Sequence, residues 1–122
     1  MDCPKCTGYL SLLTYGDHIE LHRCEVCHGL WCHPYHLSNM KEEWMSEAVL
    51  DIGDPSVGSH LNKAINISCP QGHGLMERKS DPDQPHIHYE ECMTCSYIFL
   101  DAGEFTDLKF KTLMDLVKKV FR

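Results

Sequence analysis

Two Cys-x-x-Cys pairs, Cys3/Cys6 and Cys24/Cys27, stand 17 residues apart in a chain of 122 residues, and no other feature narrows the possible folds as much. Cysteines at that spacing share one tight turn and can offer both sulfurs to one ion. A hairpin between the pairs carries the second turn back to face the first, and four thiolates then complete a closed tetrahedron. The chain holds eight Cys and nine His. It opens Met1-Asp2-Cys3-Pro4, with neither the basic nor the apolar region of an export signal. No stretch approaches the roughly 18 apolar residues of a membrane span. A cytoplasmic location is expected, where thiols stay reduced and clustered cysteines read as metal ligands in preference to a disulfide framework. Thiolates there favour zinc, with iron as the usual competitor. Cys24 to His28 also matches the C-x-x-C-H haem attachment pattern, but that chemistry requires export and leaves Cys3 and Cys6 unexplained.

The chain repeats itself. With Cys24–Cys27 laid over Cys92–Cys95, an offset of 68 residues, Trp31 meets Phe99, Cys32 meets Leu100, His33 meets Asp101 and His36 meets Glu104. Upstream the offset is 66: Cys3-Pro4 meets Cys69-Pro70, Gly8 meets Gly74 and Leu10 meets Met76. The difference falls in the hairpin turn, short at Gly16-Asp17 and longer from Ser80 to Pro85. Period-two alternation supports the hairpins: Leu10 and Leu12, then Ile19 and Leu21, in the first copy, and Ile87 and Tyr89 in the second. The expected fold is small, α+β and metal-stabilised: two tandem zinc ribbons, each a β-hairpin plus a short strand followed by a helix. The first unit spans 1–50 with its helix over 34–50, and the second spans 68–122 with its helix over 102–121. Residues 51–67, with Gly53, Asp54-Pro55 and Gly58-Ser59, read as a linker with one short turn at 61–65.

Cys3, Cys6, Cys24 and Cys27 form the first expected site. In the second copy position 72 is Gly, and His73 is the natural substitute, so Cys69, His73, Cys92 and Cys95 form the second. Two zinc ions per chain follow. Closed four-ligand sites leave no position for water or substrate, so their job is folding.

These residues resemble the transcription-factor-IIB-type zinc ribbon family, whose pattern is C-P-x-C, a hairpin, then C-x-x-C-x-G-x-W-L-D-x-G-E-L. The first copy supplies Cys3-Pro4-Lys5-Cys6 and Cys24 to Trp31, and the second supplies Cys69-Pro70, Cys92 to Cys95 and Leu100-Asp101-Ala102-Gly103-Glu104-Phe105. The resemblance covers about two-thirds of the chain. It implies zinc binding and a ribbon fold, and its name points to transcription. In the second copy, Asp101 is expected to cap the following helix, with Glu104 completing a capping box.

The first copy departs from the family pattern where His33 and His36 replace that acidic pair. With His28 and Cys32 nearby, two readings are open. The four residues form a third metal or catalytic site, or Cys32 occupies the packing position of Leu100 while the histidines lie on the surface. No nucleophile–base pair or phosphate loop accompanies them, so a non-enzymatic protein is expected.

The helices bear on partners. Leu37, Met40, Trp44 and Ala48 make one stripe, expected to pack on the ribbons. The last helix carries Phe105, Leu108 and Leu116 on one side and Phe110, Leu113, Met114, Val117, Val120 and Phe121 on a broader one. This exceeds what a small ribbon covers, so the broader stripe is a candidate for a protein partner or self-association. The net charge is −7, which disfavours nucleic acid. The one locally basic segment holds Lys109, Lys111, Lys118, Lys119 and Arg122, and in the alternative reading of a nucleic-acid-binding regulator Lys118, Lys119 and Arg122, or the hairpin tips, would have to meet phosphate.

Overall fold

The computed structural model describes residues 1–110. Six strands form one antiparallel sheet: β1 (Leu10–Tyr15), β2 (Ile19–Cys24), β3 (Leu30–Cys32), β4 (Glu77–Ser80), β5 (His88–Glu91) and β6 (Ile98–Leu100), in the order β1-β2-β3-β6-β5-β4. The strand register reproduces both repeat offsets. Ser11 faces Arg23 in the first hairpin, and Glu77 faces Glu91 in the second. His22 faces Trp31, and Glu90 faces Phe99. The bridge between Asp2 and Tyr9 recurs between Ser68 and Leu75. The two halves join edge to edge, where Leu30, Trp31 and Cys32 face Leu100, Phe99 and Ile98. Instead of two ribbons strung on a linker, the halves share one sheet.

That junction explains why β3 and β6 are buried at every position. Side chains alternate across a strand, so consecutive burial requires cover on both faces. One face carries Ile19, Leu21, Leu30, Cys32, Ile98 and Leu100, and the helices lie over it, contributing Met40, Leu50, Phe105 and Leu108. The other face carries Leu10, Cys24, Trp31 and Phe99, packed among the cysteine turns. Leu12 shares the parity of Leu10 but is 62% exposed, because β1 is the sheet's outer strand and nothing covers its far end. At the opposite edge, β4 reads Glu-Arg-Lys-Ser, a charged and largely exposed strand that discourages edge-to-edge pairing.

The helices differ from expectation. The segment 34–50 is broken into α1 (Pro34–Glu42) and α2 (Ser46–Leu50), with Met45 in the left-handed region at φ 61°. The expected stripe is split with it. Met40 is buried and Leu37 packs on the core, but Trp44 is 84% exposed and Ala48 is also exposed. Residues 51–67 are more than linker. They hold α3 (Pro55–Leu61), started by Asp54, whose Oδ1 accepts from Ser56 N at 2.9 Å, with Pro55 in the first turn. A Cβ on Gly58 would sit 2.1 Å from the Ala102 carbonyl oxygen, so α3 lies hard against the second half and only glycine fits there. Helical backbone resumes over 104–110, here α4. None of the described helices is long and apolar enough to cross a membrane.

Candidate metal centres

Each cysteine turn is a small hydrogen-bonded device. Cys3 N donates to Gly8 O (2.9 Å) and Cys69 N to Gly74 O (2.8 Å), while Cys24 N donates to Gly29 O (3.0 Å) and Cys92 N to Tyr97 O (2.9 Å). His28 and Ser96 follow their Cys-x-x-Cys turns at φ 60° and 67°, the left-handed residue that sends the chain into the next strand. Backbone N–H groups are aimed at the sulfurs. Gly8 N points to Cys6 Sγ (3.3 Å), Val26 N and Cys27 N to Cys24 Sγ (3.4 Å each), Gln71 N to Cys69 Sγ (3.4 Å) and Cys95 N to Cys92 Sγ (3.5 Å). Such donors favour the thiolate over the thiol.

The sites gather as expected. The ligand atoms of Cys3, Cys6, Cys24 and Cys27 all lie within 4.8 Å of one another, and so do those of Cys69, His73, Cys92 and Cys95. A tetrahedral zinc ion with Zn–S bonds of about 2.3 Å needs sulfurs about 3.8 Å apart, and with a Zn–N bond of about 2.0 Å an S···N edge of about 3.5 Å. In the first cluster Cys3 and Cys27 sulfurs are 3.8 Å apart and Cys6 and Cys24 sulfurs 3.4 Å. In the second, Cys69 and Cys95 sulfurs are 4.0 Å apart, and His73 Nδ1 stands 3.5 Å from Cys69 Sγ and 3.6 Å from Cys92 Sγ. Both donor sets therefore suit a tetrahedral metal ion, and His73 takes its place through Nδ1.

The thiols are polarised against one another. The hydrogen bond from Cys27 brings Cys3 down to about 5, while the same contact and burial push Cys27 up. Burial works to raise Cys92, but hydrogen bonds from the Cys95 and Thr94 N–H groups and from the Cys95 and Cys69 side chains together outweigh it and bring the thiol down to about 6, whereas burial pushes Cys95 up to about 11. In each cluster one thiol is lowered and another raised, and thiols deprotonate as a cation arrives. The two sites differ in cover. Three of the first four ligands are buried and Cys6 is half-buried, while His73 is exposed.

Among the described residues, only these two groups bring three or more such ligand atoms together. His28, Cys32, His33 and His36 do not converge. Cys32 is fully buried in the helix-side core opposite Ile98, and burial pushes its thiol up to about 12. His33 caps α1, its Nδ1 accepting from Tyr35 N (3.2 Å), and His36 Nδ1 accepts from Glu20 N (3.3 Å). His28 holds the left-handed position after the Cys24–Cys27 turn, and its ring joins no ligand cluster among the described residues.

The expected capping box forms only by half. Glu104 Oε2 accepts from Asp101 N (2.9 Å), but the Asp101 side chain does not cap α4. It turns to the Lys5 ammonium, 2.7 Å away, and Asp51 takes over the cap. Asp51 Oδ1 accepts from Gly103 N and Oδ2 from Thr106 N, both at 2.9 Å. Lys109 is likewise no solvated charge. It is buried, and its ammonium donates to Glu43 O (2.5 Å), Ser46 Oγ (2.9 Å) and Glu47 Oε2 (2.5 Å), holding α4 to the α1–α2 break.

Of the candidate partner surface, Phe110 is 48% exposed, while Leu113, Met114, Val117, Val120 and Phe121 lie outside the described residues, as do Lys111, Leu116, Lys118, Lys119 and Arg122. Phe110 joins Trp44, Met45 and the Lys41, Glu42 and Glu43 side chains around an apolar cavity of about 410 Å³ that no sequence argument anticipated. Its signal was present in the bulky Trp44-Met45 pair, but only the helix break turns it outward. Compared with protein-family models, curated proteins and solved structures, the chain finds no match.

Proposed function

We propose that this chain is a zinc-binding, non-enzymatic interaction module built from two fused zinc ribbons and acting through protein–protein contacts. The observation that carries the reading is the pair of four-donor clusters, each drawn to within 4.8 Å. Three or four thiolates around one ion favour Zn²⁺ over the harder cations, and a complete donor set leaves the ion no open position for substrate. The metals then serve as the core of the cysteine-side layer and hold a surface in shape. That surface is the apolar cavity at Trp44, Met45 and Phe110, where Trp44 is 84% exposed and Met45 45%. A large aromatic so displayed beside acidic Glu42 and Glu43 suits an amphipathic partner segment with basic flanks.

The test uses full-length protein with a photo-crosslinker at Met45. Zinc-loaded protein should trap a discrete set of protein partners, and both zinc stripping and Trp44→Asp should abolish it. A crosslinking pattern indifferent to zinc and to Trp44→Asp overturns the reading. Native mass spectrometry of the same protein should count two zinc ions per chain. A third ion would reopen the case for the histidines at 28, 33 and 36.

A further inference from the structure

Lys5 is the variable residue of the first metal turn, Cys3-Pro4-Lys5-Cys6, yet every charged group it meets belongs to the other half of the molecule. Its ammonium lies 2.7 Å from Asp101 Oδ2 and 2.8 Å from Glu90 Oε1, with its side chain 0% exposed, and it stands 5.6 Å from the centre of the Phe99 ring. Around it Glu90, Asp101 and Glu104 are all buried. Asn62, with its amide nitrogen turned toward them, donates to Glu104 Oε1 (3.1 Å) and Asp101 Oδ2 (3.2 Å). The other cation at hand among the described residues is Arg78, whose guanidinium is partly exposed and 3.6 Å from Glu90 Oε1. Glu90 Oε2 and Asp101 Oδ1 find no hydrogen-bond partner among the described residues. Lys5 is therefore the buried counter-charge of an acid-rich pocket, and withdrawing it would leave carboxylates uncompensated in the interior, a costly arrangement.

The pocket is part of the second metal site's frame. Glu90 stands two residues before Cys92, and Phe99 and Asp101 lie on and just past β6, the strand that follows Cys95. In the other direction, Lys5 can reach the pocket only while Cys3 and Cys6 hold their turn against Cys24 and Cys27. The repeat does not duplicate this strut, because the counterpart of Lys5 is Gln71, an exposed residue. A second tie crosses nearby. A Cβ on Gly53 would meet Ala102 Cβ at 2.6 Å, His28 Cβ at 2.9 Å and Cys27 O at 3.2 Å, so Gly53 is wedged between the Cys24–Cys27 turn and the second half.

We propose that the two metal sites load as one cooperative unit, and that Lys5 is the positioning residue that couples them. Closure of the first turn around its ion seats Lys5 in the acid pocket and completes the frame of the second site. By linkage, an ion in the second site favours closure of the first by the same factor. The inference rests on the reading that both clusters hold zinc.

The experiment is a zinc titration of full-length apo protein followed by native mass spectrometry, which resolves chains with no ion, one and two. Independent sites give about half of the chains singly loaded at one equivalent if their affinities are equal, and more than half if they differ. Coupling predicts a smaller singly loaded fraction than independent sites of the same two affinities give, with the balance in empty and doubly loaded chains. Lys5→Met keeps all eight ligands and should raise the singly loaded fraction to half or above. Lys5→Met/Asp101→Asn, which removes charge from both sides, guards against simple misfolding and should do the same. A wild-type singly loaded fraction no smaller than that of Lys5→Met overturns the coupling. Cooperative loading that survives both variants overturns the role of Lys5. Failure of either cluster to take zinc overturns the metal reading itself.

Discussion

Trp31 pairs with Phe99, its own counterpart in the repeat, so a local twofold axis passes between these two residues. The relationship is near-symmetric in backbone and asymmetric in side chains. The Trp31 ring lies against Tyr97, with centroids 5.3 Å apart, and the Phe99 ring fills the space over Gly29, the position that corresponds to Tyr97. A Cβ on Gly29 would stand 2.3 Å from that ring. One aromatic pair thus fastens the two halves where neither could cover its own inner strand.

Phe99→Ala should therefore destabilise the whole chain, by about 3–5 kcal/mol, as expected when a buried aromatic is truncated. Gly29→Ala should cost about 1–3 kcal/mol by overpacking the same contact. Denaturant unfolding of the zinc-loaded protein should remain one transition with both variants shifted to lower midpoints. Separate transitions for the two halves would show that the shared sheet does not bind them into one unit.

Metal removal should dismantle the cysteine-side layer. Structural zinc in sites of this kind contributes on the order of 10 kcal/mol. A strong chelator is expected to abolish the native far-UV circular dichroism and the dispersed amide spectrum, with recovery on adding zinc. His73→Ala should weaken the second site directly, because it removes an exposed imidazole from a set whose cysteines stay in place, and the first site to a lesser degree through the coupling. Unchanged spectra in chelator would remove the structural role from both ions.

The fold was legible in the sequence wherever a pattern was local. The Cys-x-x-Cys spacing, the hairpins and the 66- and 68-residue offsets all map onto strand register. What escaped depended on contacts far apart in sequence. Asp101 reads as a helix cap until Lys5, 96 residues earlier, takes its carboxylate. Asp51 reads as linker until α4 is placed against it. The break at Glu43 to Met45 has no Pro or Gly to announce it, and Lys109 holds it from the second half. Joining of the halves through β3 and β6 could have been suspected from two three-residue strands apolar at every position, since such strands need cover on both faces.

Stability should fall as pH rises through the neutral range, because of Glu104. Burial first, and then the neighbouring Asp101 charge, push its carboxyl from 4.5 up to about 9. Between those values the folded chain holds a proton that the unfolded chain releases, so raising pH favours unfolding, with a slope of up to about 1.4 kcal/mol per unit. Burial also pushes Asp101 up, to about 6, and its contribution is complete above that pH. The metal thiolates act in the opposite sense, so the comparison is between Glu104→Gln and wild type in saturating zinc. The difference in their stabilities should grow in favour of Glu104→Gln from pH 6.5 to 9. Parallel curves would place an ionised Glu104 in the fold.

The two aspartates near α4 can be told apart by their variants. Asp51 accepts from Gly103 N, Thr106 N and Thr106 Oγ1, all between 2.8 and 2.9 Å, and so satisfies backbone donors that α4 leaves unpaired. Asp51→Ala should cost about 1–2 kcal/mol, the usual loss for a helix cap, and hydrogen exchange should rise first at Gly103 and Thr106. Asp101→Asn should leave exchange at those amides unchanged, because its carboxylate faces Lys5. It should act instead on the junction of the halves, where Lys5 would keep Glu90 as its remaining close acid. If exchange at Thr106 rises in Asp101→Asn and not in Asp51→Ala, the cap belongs to Asp101 and the acid pocket is not what holds that side chain.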